Sequence, residues 1–258
     1  MFVNYSKTYF CAACGKHPTK WVIKRIISDD LAVSWRLTND LRSKFDLRES
    51  QFCPYCRNST RTRILAQTII NKFPVKGIDC LSGWIYKMKK KDFAVAEINS
   101  CGNLHPILKK LPGLAYSEYP SSRLLPKTYY FLKRTRKEDI TNLSYSNNSF
   151  DLVLHSDVLE HIPDIKKTLD ETRRILKPKG VCLFTAPYIP NRKTRQCAKI
   201  DKKTGKILYL KAPSFHGLDT RRDNMVLWEF GKDFFGKHKI KIEYSLPELL
   251  TYVFSIEK

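Results

Sequence analysis

The stretch Lys137–Tyr188, KEDITNLSYSNNSFDLVLHSDVLEHIPDIKKTLDETRRILKPKGVCLFTAPY, alternates strand, helix and strand signals that few architectures satisfy together. Phe150–His155 is a short apolar run suited to a strand buried on both faces, entered from the turn-rich Ser146–Ser149. Past Ser156 and Asp157, the residues Ile165, Leu169, Thr172 and Leu176 recur at helical spacing, and Lys177–Gly180 brings the Pro and Gly that stop a helix. Val181–Thr185 is the next buried strand. Strand, crossover and strand form the right-handed βαβ unit of a parallel sheet. The pattern predicts a nucleotide-type α/β fold.

Phe93–Ile98 reads as the first strand of that sheet, ending in Asn99–Asn103, with a helix over His105–Leu111 and a second strand over Ala115–Tyr119. Glu118 stands where a doubly wound fold places its ribose-binding acid, and Asp139 lies in a loop that opens onto the same crevice. Upstream, Ser59–Phe73 carries apolar residues on one helical face and Trp84–Met88 suggests a shorter helix. Downstream, residues 189–217 read as a Lys-, Arg- and Pro-rich insertion with a hairpin across Lys199–Leu210. Leu227–Phe235 reads as a helix, Lys239–Ser245 as a strand and Leu246–Phe254 as a short packing helix, which leaves the last antiparallel hairpin of a seven-stranded sheet incomplete.

Of eight cysteines, Cys11-x-x-Cys14 and Cys53-x-x-Cys56 form the CxxC pairs. Two such knuckles supply the four thiolates of a closed tetrahedral Zn²⁺ site. A redox pair and unligated buried thiols are the alternatives, the first disfavoured by a reducing compartment. The separation, residues 15–52, is long for a ribbon, and Trp21–Ile27 and Leu31–Leu37 read as a hairpin that closes it. Arg57, Arg61 and Arg63 beside the second pair are either solvated or an anion contact.

The formal charge of +22 favours anionic partners such as RNA, or reflects lysine used wherever a polar residue is allowed. No run of about eighteen apolar residues and no basic-then-apolar leader occur, so neither a membrane span nor a signal peptide is expected, and the expected compartment is the cytoplasm. The length accommodates one large core and a small module: a zinc-ribbon-like segment at 1–58, a helical connection at 59–91 and the α/β domain at 92–258.

From Asp139 to Ile162 the chain reads D-I-x-x-L-x-Y-x-x-x-S-F-D-x-V-x-x-x-x-V-L-E-H-I, continued by RRILKPKG and VCLFTAPY. This resembles the class I S-adenosylmethionine-dependent methyltransferases of the type 11-like group, over roughly residues 92–254. FCPYCRNSTRTRIL is similar to the zinc-ribbon entry that some of them carry. The resemblance implies a Rossmann-like, doubly wound, mostly parallel sheet with S-adenosylmethionine across its strand ends. It places Glu97 at the methionine end of the cofactor, Asn99 and Gly102 in the turn beneath it, Glu118 at the ribose, Asp139 and Ile140 at the adenine and His155 under the sulfonium. The turn departs from the family's E/D-x-G-x-G-x-G, reading Glu97-Ile98-Asn99-Ser100-Cys101-Gly102-Asn103 with a single glycine. Asn substitutes well where positive φ is needed and poorly where the backbone must approach a ligand.

His155, Asp157, His161 and His216 are the catalytic candidates. Asp157, Glu160 and His161 share a helical face and resemble a divalent-ion site of quinone-type O-methyltransferases, the alternative being a helix-start network. A long insertion after the fifth strand commonly covers the acceptor, with Tyr188, Arg192, Arg195, His216 and Arg221 as contacts. The sequence HSDV after the fourth strand, in place of Asn/Asp-Pro-Pro-Tyr/Phe, argues against transfer to a base's exocyclic nitrogen. O-methylation of a small-molecule or glycan-linked acceptor leads. An RNA or protein methyltransferase, and a zinc-dependent binding protein with a degenerate fold, are the alternatives. No oligomeric state is implied.

Overall fold

The computed structural model describes residues 10–119, 135–201, 204–215 and 224–258. Its centre is a seven-stranded sheet. The strands are β1 (Val95–Ile98), β2 (Ala115–Glu118), β3 (Arg136–Lys137), β4 (Phe150–Ser156), β5 (Leu176–Thr185), β10 (Lys241–Leu246) and β11 (Thr251–Glu257), in the order β3-β2-β1-β4-β5-β11-β10. The first five run parallel, with Ala96 opposite Ala115 and Val153 opposite Cys182. β11 enters antiparallel between β5 and β10, with Val253 opposite Thr185. Strand order reverses between β1 and β4, which is the switch point where doubly wound sheets hold ligands.

Two corrections follow at the C-terminal end. Residues 246–254 were expected as a helix, and the hairpin as incomplete; instead Pro247–Leu249 is one 3-10 turn and Thr251–Glu257 is a full strand. Thr251–Ile256 is buried on both faces, so no polar alternation marks it as a strand.

Alternation along the strands divides the core in two. One face (Ala96, Val153, Cys182, Phe184, Phe254) packs on α6 (Ile165–Ile175) and the aromatic group Phe230, Phe234 and Phe235. Asp164 caps α6 by accepting from the Lys167 N–H at 3.1 Å, which satisfies one of its free N-terminal donors. The helix ends at Ile175, and Lys177–Gly180, expected as its stop, already lies within β5. Gly180 is required there because a Cβ would sit 2.8 Å from the Phe150 carbonyl oxygen.

The opposite face (Leu152, Leu154, Val181, Leu183, Val253) packs on α3 (Thr60–Lys72) and α4 (Leu81–Met88). Cys11, Ala13 and Cys53 join this same core, so the cysteine pairs are built onto the sheet's own hydrophobic layer. The expected N-terminal hairpin is absent. Leu31–Leu37 falls largely in α1 (Asp29–Ser34), α2 follows at Asn39–Ser50, and a single bridge joins Val22 to Phe52. Ser28 and Thr38 cap these helices through their side chains, and local capping of this kind outweighs the β-branched and aromatic residues that suggested strands.

The insertion after β5 forms two small ribbons. β6 (Arg195–Gln196) pairs with β9 (Trp228–Glu229), and β7 (Ala198–Ile200) with β8 (Ile207–Tyr209), the last pair being the hairpin expected over Lys199–Leu210. The helix expected over Leu227–Phe235 is β9 followed by α7 (Asp233–Lys237).

Candidate functional site

A crevice of about 790 Å³ opens at the carboxyl ends of β1, β2 and β4, within the volume range of small-molecule sites. Ile98, Asn99 and Ser100 of the β1 turn line it, with Glu118 ending β2, Asp139 and Ile140 beyond β3, and Ser156, Asp157 and His161 beyond β4. Ile200 of the insertion and Asn224 beyond it also line the crevice.

Asn99 has φ +57, the conformation its type tolerates best after glycine, and its side-chain oxygen accepts from the Tyr119 N–H at 2.8 Å. Gly102 also has φ +62 but does not line the crevice; a Cβ there would meet only the Thr62 methyl, at 3.8 Å. The glycine serves the turn's conformation rather than a close approach to a ligand. Glu97 is fully buried and serves the turn too: one oxygen accepts from the Cys101 N–H at 2.8 Å, the other lies 2.6 Å from His105 Nδ1. Both Glu97 oxygens are thus engaged by the turn, and Glu97 is not among the residues lining the crevice.

Glu118 does reach the crevice, and its Oε1 accepts from the Tyr116 hydroxyl at 2.7 Å. Burial, and then this bond to Glu118, raise the Tyr116 pKa and keep the phenol a donor. Tyr116, two residues before Glu118 on the same face of β2, was missed from the sequence; that period-2 spacing was the available signal. Asp139 lines the crevice with Oδ1 accepting from both the N–H and the hydroxyl of Thr141 at 2.8 Å. Ile140 beside it is buried.

His155 is elsewhere. It is fully buried in the sheet, its ring stacked on Phe184 with centroids 4.7 Å apart, and burial pushes its pKa down to about 3. The ring is neutral and does not line the crevice, which removes it as general base and as sulfonium contact.

Asp157, with φ +51, is clamped from the N-terminal segment. Arg48 of α2 donates to its two oxygens at 2.8 and 3.0 Å, Arg61 of α3 lies 3.3 Å from Oδ2, and the Thr185 hydroxyl donates to Oδ1 at 2.8 Å. Arg61 also reaches Glu49 at 3.0 Å and the Ser156 hydroxyl, so it is a structural tie rather than a solvated or anion-binding side chain. Arg63 is likewise internal, its guanidinium 3.7 Å from the Trp21 ring centroid. Glu160 is fully buried, and burial followed by the Asp157 charge holds its carboxyl well above the usual range. His161 Nδ1 donates to the Met225 carbonyl at 2.8 Å, and its Nε2 lies 3.8 Å from Glu160 Oε1.

These three groups do not fit a divalent ion. Two guanidiniums neutralise Asp157, burial raises the Glu160 carboxyl pKa and one nitrogen of His161 is committed; nor do the three share a helical face, because Leu159–His161 is a single 3-10 turn and the helix begins at Ile165 under the Asp164 cap. His216 and Arg221 lie outside the described residues. Arg192 donates to the carbonyls of Trp35 and Arg36 and Arg195 pairs with Glu229 at 3.0 Å, both away from the crevice, while Tyr188 is buried among Phe235, Tyr252 and Phe254.

The four cysteines converge. Their sulfurs all lie within 4.8 Å of one another, with Cys11–Cys56 at 3.6 Å and Cys14–Cys53 at 3.9 Å. Zn–S bonds of about 2.3 Å in a tetrahedron require sulfurs about 3.8 Å apart. Each knuckle closes at a residue of positive φ, Gly15 at +75 and Arg57 at +61, and Asn58 Nδ2 lies 3.4 Å from Cys56 Sγ. The donor set fits a tetrahedral thiophilic metal.

With this geometry in view, residues 114–184 match the profile of a family described as a methyltransferase domain. The matched segment covers about a quarter of the chain. The match spans β2 to β5, and of the crevice lining it includes Glu118, Asp139, Ile140 and the end of β4, with the β1 turn lying outside it. Over 46 residues the chain is 44% identical to a glycine/sarcosine/dimethylglycine N-methyltransferase of Actinopolyspora halophila; this is 18% of the chain and spans 8% of that relative's length. Among solved structures, a SAM-dependent methyltransferase of Methanosarcina mazei aligns at 15% identity, covering 68% of this chain and 96% of that one, with TM-score 0.39. The YcgJ protein of Bacillus subtilis aligns at 19% identity, covering 43% and 52%, with TM-score 0.32.

Proposed function

We propose that the chain is an S-adenosylmethionine-dependent methyltransferase whose cofactor lies in the crevice at the β1–β4 switch point. The observation that carries the reading is the joint placement of Glu118, Asp139 and Ile140 on that crevice, in a methyltransferase domain. Glu118, oriented by Tyr116, accepts the two ribose hydroxyls; Asp139 accepts the adenine amino group; Ile98 and Ile140 form the apolar walls. The bound sulfonium supplies an already activated methyl group, so the protein's task is to position the acceptor and take up its proton. His161 Nε2 is the base we assign on the crevice wall. Asp157, neutralised by Arg48 and Arg61, orders that end of the site rather than taking the proton.

The acceptor we favour is a hydroxyl of a small or glycan-linked molecule, entering beneath Ile200 and Asn224. Nitrogen is the second reading, since the 46-residue likeness is to an N-methyltransferase. The +22 charge favours an RNA acceptor as a third, and strongly salt-dependent RNA affinity is its test. The cysteine cluster is assigned to structural Zn²⁺, a closed site with no position for substrate. Binding of S-adenosylhomocysteine, weakened on Glu118→Ala, tests the cofactor reading; unaltered binding by that variant contradicts it.

A further inference from the structure

The turn between β1 and α5 (His105–Leu108) has one glycine where related turns use several, so its shape must be imposed from outside. Glu97 supplies one restraint from within β1, through the Cys101 N–H. Two others come from the second cysteine knuckle. The fully buried Asn58 donates from Nδ2 to the Asn103 carbonyl at 2.9 Å, and Asn103 Nδ2 donates back to the Arg57 carbonyl at 2.6 Å. The same Asn58 amide nitrogen lies 3.4 Å from Cys56 Sγ, and its own carbonyl closes the knuckle by accepting from the Cys53 N–H at 2.9 Å. One side chain therefore touches a metal-ligand sulfur and the turn that lines the crevice. The next residues extend the link, since Thr62 packs beneath Gly102 and Arg61 reaches Ser156 and Asp157.

We propose that Asn58 and Asn103 are positioning residues that clamp the cofactor turn to the cysteine knuckle, so that metal binding and nucleoside binding strengthen each other. The inference rests on the cofactor reading of the crevice given above. Metal holds the 53–58 knuckle closed, which fixes the Arg57 carbonyl and the Asn58 amide at the spacing that Asn103 requires. The turn, held by both, presents Asn99 and Ser100 to the crevice. Linkage makes the effect reciprocal: a ligand that needs the ordered turn must raise affinity for the metal by the same factor. The clamp takes over the shape-holding that additional glycines provide in other turns by conformation alone.

The test uses full-length protein loaded with Co²⁺, whose thiolate charge-transfer and d–d absorption reports on the sulfurs, titrated with S-adenosylhomocysteine in parallel with calorimetry. In the wild type the cobalt bands are expected to shift as the nucleoside saturates. Asn103→Ala changes an exposed residue and is expected to keep one metal per chain, lose the band shift and bind the nucleoside about fivefold more weakly, the effect of about one hydrogen bond. Asn58→Ala is expected to weaken both metal and nucleoside; if it does not fold, Asn103→Ala carries the test. Wild-type protein that binds S-adenosylhomocysteine with static cobalt bands, and an Asn103→Ala variant of equal affinity, would overturn the clamp while leaving the cofactor reading intact. No nucleoside binding by the metal-loaded wild type overturns both.

Discussion

Arg48 and Asp157 form a two-pronged ion pair at 2.8 and 3.0 Å that fastens α2 to the end of β4. Arg48 is 1% exposed, and its ordinary pKa is pulled down by burial and supported by the Asp157 charge. Removing one member of such a pair leaves a buried charge poorly compensated.

Arg48→Leu is therefore expected to cost about 3–5 kcal/mol of stability. Arg48→Lys, which keeps the charge and loses the fork, should fall between. Asp157→Asn combined with Arg48→Leu should cost less than the sum of the two, because neither charge is then stranded. Urea unfolding of the wild type, the three single variants Arg48→Leu, Arg48→Lys and Asp157→Asn, and the double variant measures this; strict additivity would show that the pair is not coupled.

His155 gives a pH dependence of definite sign. Its pKa falls from 6.5 unfolded to about 3 in the folded protein, so between those values only the unfolded chain takes up the proton. Its stabilising contribution is fully present above about pH 6.5 and is lost as pH falls toward about 3, with a slope of up to about 1.4 kcal/mol per pH unit. His155→Leu should flatten the stability profile across that window. Equal slopes in wild type and variant would refute the neutral buried assignment.

Phe254 on β11 stacks on Phe235 with centroids 3.9 Å apart and also packs on Phe184 and Tyr188. Phe254→Ala should cost about 3–5 kcal/mol, against near neutrality for the exposed Ile242→Thr on the outer strand β10. Thermal unfolding distinguishes the two.

The cysteine cluster should bind one Zn²⁺ per chain, and chelation should lower the unfolding temperature. Cys11→Ser and Cys53→Ser should do so without chelator. Metal analysis and thermal scans read both effects, and metal-free protein of unchanged stability would remove zinc from the account.

The β4-α6-β5 unit was legible because its apolar runs and helical period agree at every level. β11 was not, because a strand buried between β5 and β10 shows no alternation and the leucines just before it, Leu246, Leu249 and Leu250, mimic a helix face with Tyr252 and Val253. The helix α2 was hidden by its largely polar sequence, NDLRSKFDLRES, in which the decisive buried residue is an arginine. In the site, Glu118 and Asp139 were placed from the strand ends, while Asn99, Ile140, Asp157 and His161 were placed with the help of the family resemblance; all six line the crevice. Glu97 and His155 are buried and off the crevice lining, which the sequence did not show because a strand buried on both faces gives no sign of which way a polar side chain points. The Arg48–Asp157 pair and the Asn58–Asn103 clamp join segments distant in sequence, which no local pattern reveals.

The measurement closest to the central claim is calorimetric titration of metal-loaded protein with S-adenosylhomocysteine, repeated on Glu118→Ala and Asp139→Ala. The account expects one site per chain in the wild type, weakened about ten- to a hundredfold by each substitution, as for lost hydrogen bonds to a charged group. Absence of saturable binding by the wild type, or binding indifferent to both carboxylates, would contradict it.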